Sequence, residues 1–334
     1  NYYKRGEERM KNEFYYEKYE ENEIRIIELG YTDSNKDKNL LIKLAPMNGN
    51  NLFCFKIGEH EIIHYDPKFE LTSYYTGNPI LYPLPNRVRN CRYEFNGEKH
   101  WQMKNGIPIF MHSLVYDEEW DYNEPVIEED RISIETFIKI DEEHPIYEGF
   151  PFIHTIILKY ILTKDKLLFS YAVINRDSKE LPFGISFHTF FNKLSGDDNS
   201  LLLVPAKYMM ELTDDLLPTG KLLEVNDKKF DLTKPVPVSR LDLDNCFTGM
   251  SNEENVMIDY STIGLKLFMD ATEDFTHMQI FTPQGKPFFC VEKQTCSTDA
   301  HNLYAKGYED EAHLIIVPVN DEHSGVVEFS YEYY

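Results

Sequence analysis

Two protonatable residues about a hundred positions apart interrupt apolar stretches: His188 in Phe187-His188-Thr189-Phe190-Phe191-Asn192, and Glu292 in Phe288-Phe289-Cys290-Val291-Glu292. Burying a carboxylate or an imidazole among aromatics costs several kcal/mol unless the group is paired or used. An acid and a base facing one substrate is such a use. Strand alternation would put Phe288, Cys290 and Glu292 on one face and project Lys293 to the other. The competing reading for Glu292 is a strand-end ion pair with Lys293. For His188 it is a structural histidine of the core, with Thr189 and Asn192 as polar neighbours.

Three weaker candidates precede or separate these. In Pro83-Leu84-Pro85-Asn86-Arg87-Val88-Arg89-Asn90 two prolines fix the approach, and Asn86 tolerates a turn, so the Arg87 guanidinium would be held rigidly at a strand entrance. Planar multidentate donors suit sugar hydroxyls or carboxylates. The alternative is that Arg87, Arg89 and Arg92 only balance neighbouring acids. His112 ends the apolar run Ile107-Pro108-Ile109-Phe110-Met111 and, taken alone, reads as a satisfied structural histidine sooner than as a ligand. Asp244, in Leu243-Asp244-Asn245-Cys246-Phe247, taken alone reads first as ordinary turn chemistry. There is no H-x-x-x-H pair, clustered Cys/His set, G-x-S-x-G elbow or glycine-rich phosphate loop, so metal, nucleotide and serine-nucleophile mechanisms have no positive support.

The elements that must hold these residues have a period of two. Ile132, Ile134, Thr136, Ile138 and Ile140 alternate with Ser133, Glu135, Phe137 and Lys139. Val327, Phe329, Tyr331 and Tyr333 alternate with Glu328, Ser330 and Glu332, and Leu265, Leu267 and Met269 follow the same rule. Asn96-Gly97 between Tyr93 and Trp101 predicts a hairpin, as does Thr282-Pro283-Gln284-Gly285-Lys286 between two apolar runs. Helical periodicity is scarce: residues from about Glu7 to Glu21, rich in Glu, Lys and Tyr, read as a solvated arm or a short helix. Strands separated by turns, with no alternating helices, predict an all-β chain built as a large antiparallel sandwich. The expected organisation is an N-terminal charged arm over 1–22 and a single domain over 23–334.

The chain has 334 residues, 42% hydrophobic, enough apolar surface for a large core. No run approaches the roughly 18 apolar residues of a membrane helix. The first residues, Asn1 to Glu8, are charged and lack the apolar stretch of a secretory leader. Five cysteines, an odd number without C-x-x-C spacing, fit a reducing compartment, and the expected location is cytoplasmic. A net charge of -23 argues against nucleic acid and anionic membranes as partners and favours a neutral small molecule.

In order and spacing, these segments resemble the aldose 1-epimerase (galactose mutarotase) family from about Leu41 to the C-terminus. The resemblance runs through Asn86-Arg87, His112, His188-Thr189-Phe190-Phe191-Asn192, Asp215-Leu216-Leu217-Pro218-Thr219-Gly220, Asp244-Asn245-Cys246-Phe247, and Glu292 with Asp299-Ala300-His301-Asn302. It implies a galactose mutarotase-like supersandwich with an open sugar cleft on one sheet. By that likeness Glu292 would be the general base, His188 the general acid, and Arg87, His112 and Asp244 hydroxyl-binding residues. Asn86 and Gln279 match cleft positions less closely, and Phe190 or Phe281 would pack against the sugar. The reaction would interconvert the α and β anomers of a free aldohexose without cofactor or metal.

Acid/base logic agrees with this: a carboxylate and an imidazolium at neutral pH would serve the anomeric hydroxyl and the ring oxygen. Two positions depart from the family pattern. Ser113 replaces a common glycine, which would narrow the cleft, and Lys293 replaces a common proline. Two other readings stay open. One is an epimerase of a phosphorylated or modified sugar, which would need Arg89 and Arg92 at the cleft rim beside Arg87. The other is a carbohydrate-binding module of the same fold without turnover.

Overall fold

Period-two sequence becomes three large antiparallel sheets and three two-stranded ones in the computed structural model, which describes residues 13–225, 230–250 and 255–334. The first sheet has five strands in chain order, from Glu13–Glu21 to His60–Glu61. The second has ten strands. At its centre Arg131–Ile140, His154–Thr163, Lys166–Asn175, Glu322–Tyr333 and Leu265–Ala271 pair in that order. The third has eight strands and carries Asp244–Met250, His277–Phe281 and Phe288–Gln294 side by side, followed by Ser186–Phe187 and Ile80–Leu81. Both hairpins expected from turn chemistry are present, Arg92–Phe95 with Glu98–Trp101 and His277–Phe281 with Phe288–Gln294.

One face of the ten-stranded sheet packs on the eight-stranded sheet. Phe169 of the former, whose ring is centred 5.0 Å from that of Phe329 in the same sheet, meets Phe187 of the latter at 4.7 Å. All three are buried in one core that runs from Ile27 to Phe329. Covering such a side chain contributes roughly 1.5–3 kcal/mol.

The helix or arm expected over about Glu7 to Glu21 is corrected where it is described. Glu13–Glu21 is a strand paired along its whole length with Ile24–Thr32, and the residues before Glu13 lie outside the described range. Its turn, Asn22-Glu23, has both residues at positive φ (51° and 66°), the conformation of a tight two-residue hairpin. The four aromatics Phe14, Tyr15, Tyr16 and Tyr19 favour a strand, and Phe14 packs 4.8 Å from Tyr31.

Candidate active site

Strand register brings three of the expected residues to one face of the eight-stranded sheet. Gln279 stands directly across from Glu292, and Asp244 pairs with Phe281 on the next strand, within reach of Gln279. The Gln279 Nε2 donates to Asp244 Oδ1 at 2.7 Å. Arg87 arrives from outside the sheet. Asn86 (φ 61°) and His112 (φ 65°) both adopt left-handed backbone, Arg87 bridges to Met111, and the His112 N–H donates to the Asn86 carbonyl at 2.8 Å. From there Arg87 Nη2 donates to Asp244 Oδ2 at 2.9 Å and Nη1 to Asn86 Oδ1 at 3.1 Å.

His188 sits where the chain breaks pairing between Ser186–Phe187 and Phe190–Asn192. Its N–H donates to the Pro79 carbonyl at 2.9 Å, and its ring lies flat on Phe190, centroids 4.6 Å apart and planes 5° apart. The ring is thereby fixed with Nδ1 3.4 Å from Glu292 Oε1. His112 meets His188 edge-on at 5.0 Å. All seven sequence-selected residues line one cleft of about 640 Å³, together with Phe190 and Phe281.

The floor of this cleft disfavours charge. Burial pushes the Glu292 carboxyl well above its usual range; Asp244 adds to the rise and Arg87 opposes it. Burial pulls His188 down to about 3, against one favourable backbone hydrogen bond. His112 is held low by burial, then by His188 and Arg87. The expected carboxylate–imidazolium pair is therefore revised: both shifts favour a carboxylic acid beside a neutral imidazole. Either form holds one proton, so transfer between the facing atoms converts one into the other. His188 Nδ1, Glu292 Oε2 and His112 Nδ1 are buried without a hydrogen-bond partner among the described residues. Such atoms cost about 1–3 kcal/mol each until a ligand satisfies them.

Several neighbours settle open points. Lys293 makes no ion pair with Glu292; it lines a separate pocket on the other side of the strand with Asp270 and His313, and burial lowers it to about 8. Ser113 does not narrow the cleft. Its backbone is left-handed (φ 71°), which explains a preference for glycine, and its Oγ turns away to accept the Leu84 N–H at 2.9 Å. Arg89 and Arg92 are not at the rim: Arg89 Nε lies 3.4 Å from the buried Asp299, and Arg92 stacks 3.7 Å over Trp101.

Sequence reasoning missed two features. Asp299 clamps the arginine segment, accepting the Arg89 N–H at 3.0 Å and donating its own N–H to the Arg87 carbonyl at 3.1 Å. The Asp299-Ala300-His301-Asn302 string was its only trace. Tyr74, Phe288 and His64 also line the cleft, from turns and strand ends with no motif to mark them. Among the described residues one group could hold a metal: His188, Cys290 and Glu292 present donor atoms within 4.8 Å of one another. Burial, Glu292 and Asp244 all push the Cys290 thiol up, away from the thiolate a metal prefers.

Two packed β-sheets carrying a polar cleft at their open face define the galactose mutarotase-like supersandwich. A family model described as Aldose 1-epimerase matches residues 58–330, and the chain belongs to that family. Among solved structures, a galactose mutarotase-like protein from Clostridium acetobutylicum superposes with a TM-score of 0.84 at 17% identity, covering 96% of this chain and 99% of that one. Galactose 1-epimerase from Lactobacillus acidophilus gives 0.74 at 15% identity, with the same coverage. The uncharacterized protein YihR of Escherichia coli is 21% identical over 73% of this chain and 77% of its own length.

Proposed function

We propose that this protein is an aldose 1-epimerase that interconverts the α and β anomers of a free aldohexose. The observation that carries the reading is the buried His188–Glu292 pair, 3.4 Å apart, beside the Arg87–Asp244–Gln279 hydrogen-bond set. Hydroxyls of the sugar bind Arg87, Asp244 and His112, and Asn86 and Gln279 hold Arg87 and Asp244 in place. The anomeric hydroxyl and the ring oxygen give the charged pair the partners it lacks, so sugar binding draws the shared proton to His188.

Glu292 then removes the proton of the anomeric hydroxyl while His188 protonates the ring oxygen, and the bond between the anomeric carbon and that oxygen breaks. The open aldehyde rotates about the bond to the next carbon. Reclosure on the other face returns both protons with the roles exchanged, so no oxidant, reductant or cofactor enters the balance.

Polarimetry of freshly dissolved α-D-galactose and α-D-glucose tests this, with wild type and Glu292→Gln against the spontaneous rate. Wild type is expected to accelerate at least one sugar and the variant neither. A variant that keeps most of the rate would remove Glu292 as the base; a wild type inert on both would overturn the reading.

A further inference from the structure

The cleft is larger and more aromatic than one sugar ring needs. Its deep end holds the polar set around Glu292, but four ring-to-ring steps lead outward from His188. They pass to His112 at 5.0 Å, to Tyr74 at 4.6 Å, to Tyr75 at 4.6 Å and to Phe69 at 5.4 Å. A second run leaves through Phe190 to Phe288 at 5.0 Å and on to His64 at 5.2 Å. All of these rings line the same cavity of about 640 Å³, within the range of roughly 300–1,000 Å³ that encloses ligands well above monosaccharide size.

The outermost rings are exposed, Tyr75 by 49% and Phe69 by 42%, yet the loop that bears them is fixed from below. Buried Asn51 donates through Nδ2 to the Leu71 and Thr76 carbonyls, both at 3.1 Å, and accepts the Asn78 N–H through Oδ1 at 2.8 Å. Tyr74 is wedged between His112 and Tyr116 and receives the Tyr75 hydroxyl at 3.4 Å. Binding therefore loses little loop entropy.

We infer that the outer half of the cleft is a subsite for a second pyranose ring, so that the preferred substrate is the reducing-end sugar of a disaccharide or longer oligosaccharide. A pyranose presents an apolar C–H face that packs on an aromatic ring while its hydroxyls stay in water, which is what exposed tyrosine and phenylalanine platforms offer. The cavity is also lined by charges of mixed sign, Asp66 with Lys68 and Lys286, which suits hydroxyl contacts. Turnover of such substrates rests on the epimerase reading; their binding does not.

The test compares maltose and cellobiose with glucose and galactose, by polarimetry for rate and saturation-transfer NMR titration for affinity, in wild type and Tyr75→Ala. Disaccharides are expected to bind about tenfold more tightly than monosaccharides, and Tyr75→Ala to lower the disaccharide-to-monosaccharide ratio about tenfold. Equal affinity for both, or an equal loss on both, would overturn the subsite while monosaccharide turnover kept the epimerase reading intact. Tighter binding of glucose 6-phosphate, lost in Lys286→Ala, would also overturn it, making the outer end an anion site. Tyr75-dependent disaccharide binding without turnover would support the subsite and sink the epimerase reading instead.

Discussion

The ten-stranded sheet and the cleft sheet use the same strand geometry in opposite ways. Along His154–Thr163 and Lys166–Asn175, buried positions alternate strictly with half-exposed ones, or with an exposed one at Lys159, so one face packs and the other meets water. Along Phe288–Gln294 six consecutive residues are buried, among them Glu292, Lys293 and Gln294. With both faces covered, polar groups there cannot be solvated. The ten-stranded sheet gains stability from each buried position; the cleft sheet gives some up to hold an acid and a base in a dry cleft.

That contrast is open to attack at several points. Glu292→Gln should lower the mutarotation rate by about 10²- to 10⁴-fold and keep sugar affinity within a few-fold, measured by polarimetry and titration. In the other sheet Phe169→Ala, which empties a site between Phe187 and Phe329, should cost about 3–5 kcal/mol in urea unfolding and leave turnover per folded molecule unchanged. If instead Phe169→Ala cut turnover and Glu292→Gln cut stability, the division of labour would be wrong.

Arg87→Ala deletes a charge-assisted bond to Asp244 but no proton carrier. It should raise KM about ten- to a hundredfold, with a smaller effect on kcat. The carboxyl of Glu292 has a folded-state pKa above its ordinary 4.5, so its stabilising form is the acid and stability is lost as pH rises from there. Glu292→Gln should therefore raise the melting temperature by about 2–4 °C at pH 8 and by less at pH 5; a lower melting temperature at pH 8 would show that the carboxylate is satisfied after all.

The smallest effect concerns pH. Burial lowers His188 to about 3 and raises Glu292 above its ordinary 4.5, so neither group titrates at its ordinary value. The rate should therefore show no step at the ordinary histidine value. A profile that climbs with a midpoint at the ordinary imidazole value of 6.5 would place the titrating proton on a solvated histidine and blunt the comparison.

The sequence alone determined the strands, the hairpin turns at Asn96-Gly97 and Gln284-Gly285, and the two residue types able to move protons, because period, turn chemistry and the cost of a charge in an apolar run are local properties. It misled at Glu13–Glu21, where a charged, tyrosine-rich segment has no fold until Ile24–Thr32 supplies a pairing edge. The site itself was decided only by tertiary structure. Arg87 meets Asp244 across 157 residues, Asp299 clamps Arg89 across 210, and the aromatic run through Tyr74 exists because Asn51 holds a distant loop. Such contacts follow from which strands become neighbours and in what register. That is set by the burial of the whole core rather than by any segment of the chain.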